Sequence, residues 1–566
     1  MRKQLLFVLT ILIAVLFSSC NKDLTALDPS LFTATPNPMV EKAGKVDVTI
    51  TGTFPVKYFS RNATVTVTPV LVYNGTETKS AASVFQGERV KSNNKVINFK
   101  AGGRYSIQAT FNYVPEMAKS ELYLDFSVST SRKTYALPRV KVADGVMATA
   151  QLVQKTSIEN GPVIIPDKFQ RVIQEMQEAD IKFLIQQANL QTKETRAEDI
   201  LALTQKIKAV KETPNQQVAN FEIAGYASPD GSIEINTNLA ERRQKVTSDF
   251  INKELKKLKT SVTIDSKFTA EDWAGFQKLM EGSSIQDKQL ILSVLSMYTD
   301  PEQREREIKN LSNVFKQIAD QILPELRRSR LKLTVDVTGK SDAEIAKLAK
   351  EDASKLSLEE LLYAATLTTD LNEKAEIYTK ATEKSPKSLR TFNNLGVVKY
   401  QQGKIDEAAE LFGKALALKS TPDVNYNVGI SALAKNDISK AEVSFGNAAG
   451  TSGNLSNALG TIAIIKGDYV KAKTFFGKTS TNNAAIAQIL DGNYNGARST
   501  LDAVTQPDAL TSYLGAIIGA RTNNRDAVYA GLRKAVSMND AYKAKAQNDI
   551  EFAKFNNEDA FKAIVK

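Results

Sequence analysis

The chain has 566 residues, 42% of them hydrophobic and 24% charged, with a formal net charge of +11. That is long enough for several domains and too apolar for a disordered polypeptide. It contains no histidine and one cysteine, Cys20, which excludes histidine-based catalytic triads, histidine-ligated metals and an internal disulfide. Its acids are scattered over surfaces that read as helical, with no paired-carboxylate constellation. A non-enzymatic protein with no cofactor and no metal site is therefore the expectation.

The N-terminus has the layout of an export signal. Arg2 and Lys3 precede an apolar stretch from Leu5 to Phe17, and Ser18 and Ser19 lead to Cys20. The stretch is shorter than the roughly 20 residues that span a bilayer. The pattern resembles the bacterial lipoprotein signal, although Phe17 stands where leucine is usual. The resemblance implies removal of residues 1–19 and acylation of Cys20, whose lipid would hold the chain to a membrane. Asn21 is not the aspartate that commonly retains lipoproteins in the inner membrane. An outer-membrane anchor with a mainly periplasmic body is expected, and surface exposure stays open. In an exported chain a diffuse positive charge suits anionic envelope surfaces rather than nucleic acid. Its densest run, Lys253 to Lys259, reads as a solvated helix end.

Residues 20–39 are polar and hold three prolines, Pro29, Pro36 and Pro38, as in a tether. Residues 40–155 switch to a two-residue period: VDVTITGTF, ATVTVTPVLVY, KVINF, YSIQATFNY and ELYLDFSVS. Turn signals such as Tyr73-Asn74-Gly75 separate them. This predicts an antiparallel β-sandwich of immunoglobulin-like architecture, serving as a spacer or docking module.

Residues 168–340 read as α+β. Strands are expected at 180–185, 219–226, 261–264 and 331–337, and helices at 195–212 and 234–258. A helical insertion over about 265–325 carries the chain's only tryptophan, Trp273, read as a packed helix start. The segment FEIAGYASPDGSIEINTNLAERRQKVTSDFI, with Gly225, Tyr226, Gly231, Asn236, Leu239 and Arg243 in register, resembles the signature of the OmpA-like, peptidoglycan-associated domain. In that family a turn carboxylate and a helix arginine grip the free ends of diaminopimelate. The resemblance implies a peptidoglycan site at Ser228, Asp230, Asn236 and Arg243. Arg243 matches the family arginine. The family aspartate falls on Ser228, and Asp230 stands two positions later.

From about residue 355 to 566 the chain is helical and repetitive. Phe392, Leu395, Gly396, Gly403, Ala408, Phe412 and Ala415 recur as Val428, Gly429, Asn436, Ala441, Phe445 and Ala448, then as Leu459, Gly460, Gly467, Ala472 and Phe476. This pattern resembles the tetratricopeptide repeat (TPR). Small residues at the helix crossing permit close approach, a large ring fills the gap, and stacking is required for stability. The concave face is expected to carry Asn393, Asn394, Val397, Tyr400, Asn425 and Asn427 and to hold a protein partner.

The sequence thus predicts a multidomain α+β chain: an N-terminal β-sandwich, a central OmpA-like domain with a helical insertion, and a C-terminal all-α TPR solenoid. Its expected role is an envelope scaffold or adaptor contacting peptidoglycan or another envelope component. The alternative is a surface-facing accessory or anchor subunit of a fimbria or secretion apparatus.

Overall fold

The structure, a computed structural model, describes residues 24–156, 161–310 and 312–566. Cys20 and the export signal lie outside the described residues. The chain divides into two compact units. One joins the residues up to Pro166 with Asp370–Lys566, and the other spans Asp167–Thr369.

The first unit begins with a β-rich region of two sheets. In one, Lys45–Phe54 is flanked by Phe32–Thr35 and Gly103–Asn112, and Met39–Lys42 returns on it as a hairpin. In the other, Thr64–Tyr73 and Ser120–Ser129 pair antiparallel at the centre. Alternate residues of these strands, Val46, Val48 and Ile50 against Leu122, Leu124 and Phe126, close one core. That is what a period of two buries. The Asn74-Gly75 pair, both residues at positive φ, makes the two-residue hairpin into Thr76–Lys79. The sandwich is not purely antiparallel. Val146–Met147 runs parallel to Met39–Lys42, and Lys95–Ile97 runs parallel to Ser83–Gly87.

The tether expected over 20–39 is folded from Leu24 onward. Leu24 and Leu27 enter the sandwich core, Asp28 accepts from the Ser30 N–H at 2.8 Å, and Phe32–Thr35 is a strand. The prolines concealed two apolar anchors whose partners are far away in sequence.

The C-terminal part of this unit is all helical. Five antiparallel helix pairs run from Leu389–Gln401 with Ile405–Leu418 to Ala509–Arg521 with Arg525–Met538, after a leading helix Leu371–Lys384. A Cβ on Gly396 would lie 2.7 Å from the Phe412 ring, on Gly429 2.4 Å from Phe445, and on Gly460 2.7 Å from Phe476. The same contact thus recurs in three successive pairs, and each ring occupies the space a missing side chain leaves. Between the helices of a pair one residue takes positive φ, Gly403, Asn436, Gly467, Gly492 or Asn523. Asp437, Asp468, Asn493 and Asn524 then cap the second helix. The sequence expectation started the array at 355. Instead, Asp342–Glu351 and Leu358–Ala364 belong to the other unit. There Tyr363 stacks on Phe169 with ring centroids 4.4 Å apart, and Lys340 pairs with Glu360.

The second unit carries a four-stranded sheet in the order Val172–Lys182, Arg328–Thr338, Gln216–Tyr226, Asp265–Thr269. The first three are antiparallel neighbours and the last pair is parallel. Helix Glu198–Glu212 buries Ile200, Leu203, Ile207 and Val210, a stripe at helical spacing. Helix Ile233–Lys257 lies directly on Gly225, where a Cβ would meet the Ala240 carbonyl at 2.2 Å.

Two strand expectations shift. The first strand is Val172–Lys182 rather than 180–185, because its first half is exposed on both faces and shows no alternation. The strand expected at 261–264 lies instead at Asp265–Thr269. The insertion holds helices from Trp273–Gly282 to Leu323–Leu326 around its own core of Phe276, Met280, Ile291, Ile318 and Leu326. No helix among the described residues is long and apolar enough to cross a membrane.

Candidate functional site: an asparagine-lined face and a closed charge cluster

The four residues expected to bind peptidoglycan, Ser228, Asp230, Asn236 and Arg243, lie around the turn before helix Ile233–Lys257. Asn236 donates to the Gly231 carbonyl at 2.9 Å and fixes that turn. Ser228 donates to Asp230, and Arg327 reaches both, with Nε 3.1 Å from the serine oxygen and Nη2 3.0 Å from the carboxylate. Arg243 is 1% exposed. Its guanidinium donates to the carbonyls of Gln187, Tyr226 and Leu184 at 3.0, 2.9 and 3.3 Å, and lies over the Phe183 ring. Burial, with the Arg327 charge behind it, pulls this guanidinium down to about 10. The cluster is internally matched. Asp230 pairs with Arg327, and Arg243 directs its hydrogen bonds to main-chain carbonyls. Sequence reasoning missed Arg327, because it stands ninety-nine residues from Ser228, at the end of helix Leu323–Leu326.

The helical array brings together a different set. Past Leu152 the chain has no helix or strand over 153–156 and 161–166, and the array's asparagines hold it there by its backbone. Asn483 accepts the Gln154 N–H and donates to the Gln154 carbonyl, both at 2.8 Å. Asn427 does the same to Val163, both at 2.7 Å, and Asn394 to Ile165, both at 2.9 Å. Asn393 adds a bond to the Val163 carbonyl at 3.1 Å and accepts from Asn427. An amide side chain offers a donor and an acceptor side by side, the same pair a neighbouring β-strand would offer.

Of the six residues expected on this face, three contact the segment: Asn393, Asn394 and Asn427. Val397 is buried with Ala408, Phe412 and Val428. Tyr400 is half-buried beside them, its hydroxyl pushed up to about 12 by burial. Asn425 turns back to Ser420 and to the Thr421 carbonyl, both at 2.8 Å. The concave face thus has an occupant from its own chain. Asn483 was not anticipated, yet it has a signal. Asn394, Asn427 and Asn483 each stand two residues before the small crossing residue, Gly396, Gly429 and Ala485.

The β-rich region is fastened to the array through Thr149, whose hydroxyl meets a buried charge pair of the array. Arg521 grips Glu551 with Nε 3.1 Å from each carboxylate oxygen, and Thr149 lies between them, its hydroxyl 2.6 Å from Glu551 and 2.9 Å from Arg521 Nη2. Nearby, Tyr513 donates to Asp549 at 2.7 Å.

Burial raises the Asp549 carboxyl above its ordinary range, against the Tyr513 hydrogen bond and with the Glu551 charge adding to it. A raised folded-state value means that Asp549 contributes stability below about pH 4 and loses it as pH rises through its folded value. In urea denaturation between pH 4 and 8, Asp549→Asn should therefore match the wild type at the acid end and exceed it at pH 8. Identical pH slopes for the two proteins would rule this out.

No protein family and no curated protein matches the chain. Similar solved structures include a tetratricopeptide repeat protein from Parabacteroides merdae, at 16% identity and a TM-score of 0.29, over 40% of this chain and 89% of that one. Pseudomonas aeruginosa pilF aligns at 18% identity and a TM-score of 0.29, over 39% of this chain and all (100%) of that one. YrrB, a TPR protein with an unusual peptide-binding site, aligns at 19% identity and a TM-score of 0.22, over 36% of this chain and 99% of that one. These are likenesses of a part of the chain. The helical-repeat description rests on the recurring glycine–phenylalanine contacts.

Proposed function

We propose that the chain is a non-enzymatic scaffold of the bacterial envelope, anchored through a lipid on Cys20 in the outer membrane with its body mainly in the periplasm. The TPR-like array recruits a protein partner. The central unit, read as OmpA-like, makes a second contact with peptidoglycan or another envelope component around the turn at Ser228 and Asp230. The observation that carries this reading is the bidentate hold of Asn394, Asn427 and Asn483 on extended main chain. A surface that pairs with backbone amides is built to receive polypeptide rather than to transform a small substrate. The central unit's strand order and the helix seated on Gly225 support the OmpA-like reading.

Crosslinking in intact cells, followed by mass spectrometry, tests the role. An envelope protein joined to the array is expected, with the yield falling several-fold in Asn394→Ala/Asn427→Ala. The mature N-terminus should carry acyl chains on Cys20, and purified sacculi should pellet the full-length chain. Recovery of neither an envelope protein nor peptidoglycan overturns the proposal, and an unmodified Cys20 overturns the anchor.

A further inference from the structure

The residues that would receive a partner are occupied by the chain's own segment. We propose that the described residues 154–156 and 161–166 act as a tethered competitor in a groove that reads extended backbone, and that an uncharged extended segment of a partner protein displaces them. The inference rests on the scaffold reading above and deepens it by naming what the groove accepts and what regulates it.

Three observations carry it. First, Asn394, Asn427 and Asn483 contact the segment's main chain only, the N–H and carbonyl of Ile165, Val163 and Gln154, while its side-chain bonds to the array are made at the Gln154–Lys155 end, where Gln154 donates to Asp508 and Lys155 to Asn436. Val163 and Ile165 are two apart, so one edge of an extended strand faces successive repeats. Any segment able to extend can present the same groups, and the resident holds no sequence monopoly. Its Ile164 side chain is 38% exposed.

Second, the groove has capacity that the described part of the resident does not use. Asn457 stands three residues before Gly460, as Asn393 stands before Gly396. It is 1% exposed, and both atoms of its amide lack a hydrogen-bond partner. A buried amide left unpaired is costly, so a segment that also satisfied Asn457 would gain a contact the resident forgoes.

Third, the groups that hold the Gln154, Val163 and Ile165 backbone are neutral amides, the segment's Lys155 also meets an amide, Asn436, rather than a carboxylate, and Val163 and Ile165 are held two residues apart. An uncharged strand with β-branched residues at alternate positions therefore suits the groove, and charged tails do not. Tethering gives the resident an effective concentration on the order of millimolar. Only a well-registered or locally concentrated segment can then displace it, so the groove stays closed to casual peptides.

The test uses the full mature chain and a labelled synthetic peptide, QKTSIENGPVIIPDK, which copies residues 154–168. Val163→Pro/Ile165→Pro removes the two N–H groups that Asn427 and Asn394 accept, while extended backbone remains allowed. The probe should bind this variant roughly tenfold or more tighter than it binds the wild type. Adding Asn394→Ala/Asn427→Ala should abolish that gain.

A second readout needs no variant. Saturating probe should speed hydrogen exchange at the Val163 and Ile165 amides of the wild-type chain and leave the array helices unchanged. Equal affinity for both forms, with the crosslinked partner still captured in cells, overturns the competitor and leaves the scaffold. No probe binding to the proline variant, with no partner captured, removes both. A probe-independent dimer of the proline variant overturns the partner strand in favour of a second copy of this chain.

Discussion

Arg521→Met should destabilise the first unit by about 3–5 kcal/mol, because removing one partner of a buried ion pair strands the other. The Glu551 side chain is 2% exposed and that of Arg521 16%, so solvent screens the pair little. After the substitution the carboxylate keeps only the Thr149 hydroxyl and the Glu551 side chain has no counter-charge in reach. Because Thr149 ends the β-rich region and Arg521 and Glu551 sit on the array, the variant should also unfold in two steps where the wild type unfolds in one. Urea denaturation followed by tryptophan-independent circular dichroism reads both effects. Arg521→Met/Glu551→Leu should recover most of the loss, since a neutral packed pair carries no desolvation cost. A loss under about 1 kcal/mol in the single variant would mean that water reaches the pair.

Phe412→Ala should cost about 3–5 kcal/mol. Its ring is fully buried and fills the space over Gly396, where even one added carbon would stand 2.7 Å from it. Alanine leaves a cavity that neighbouring helices cannot close, because each crossing is set by the small residue opposite. The converse change, Gly396→Ala, overpacks the same contact and should cost about 1–3 kcal/mol. Joined with Phe412→Leu it should cost less than the sum of the two single changes, since the sites share one volume. Thermal unfolding of the four proteins checks both statements. Strict additivity would show that the ring and the glycine do not meet. In a linear array each repeat leans on its neighbours, so the damage should spread to the adjacent pair and appear as early hydrogen exchange there.

How much of this was legible beforehand depends on how far apart the interacting residues lie. The alternation in 40–155 and the 3.6-residue stripes report which face is buried, and both follow from backbone geometry within one element. The glycine–phenylalanine pattern was equally readable, because ring and small residue sit in adjacent helices of one repeat. The folded state of Leu24 and Leu27 was not, since proline and polar neighbours mask two anchors whose partners come from distant strands. Nor was the assignment of residues 342–364 to the central unit, where Phe169, Arg171 and Tyr363 meet across almost two hundred positions.

The candidate site divides along the same line. Repeat position alone pointed to Asn394 and Asn427, and a place on a helix after a Gly-aromatic strand end pointed to Arg243. Their occupants could not be found that way. Arg243 meets carbonyls 56, 17 and 59 residues away, and the asparagines meet backbone 229 and 264 residues away. A local pattern specifies which groups an element displays, through sterics and periodicity over a few residues. Which distant segment satisfies those groups is settled only when the whole chain closes, because the choice depends on which competing burial leaves fewest polar atoms unpaired. The array and its amide-bearing face were therefore written in the sequence, and the strap that fills that face was decided by the fold.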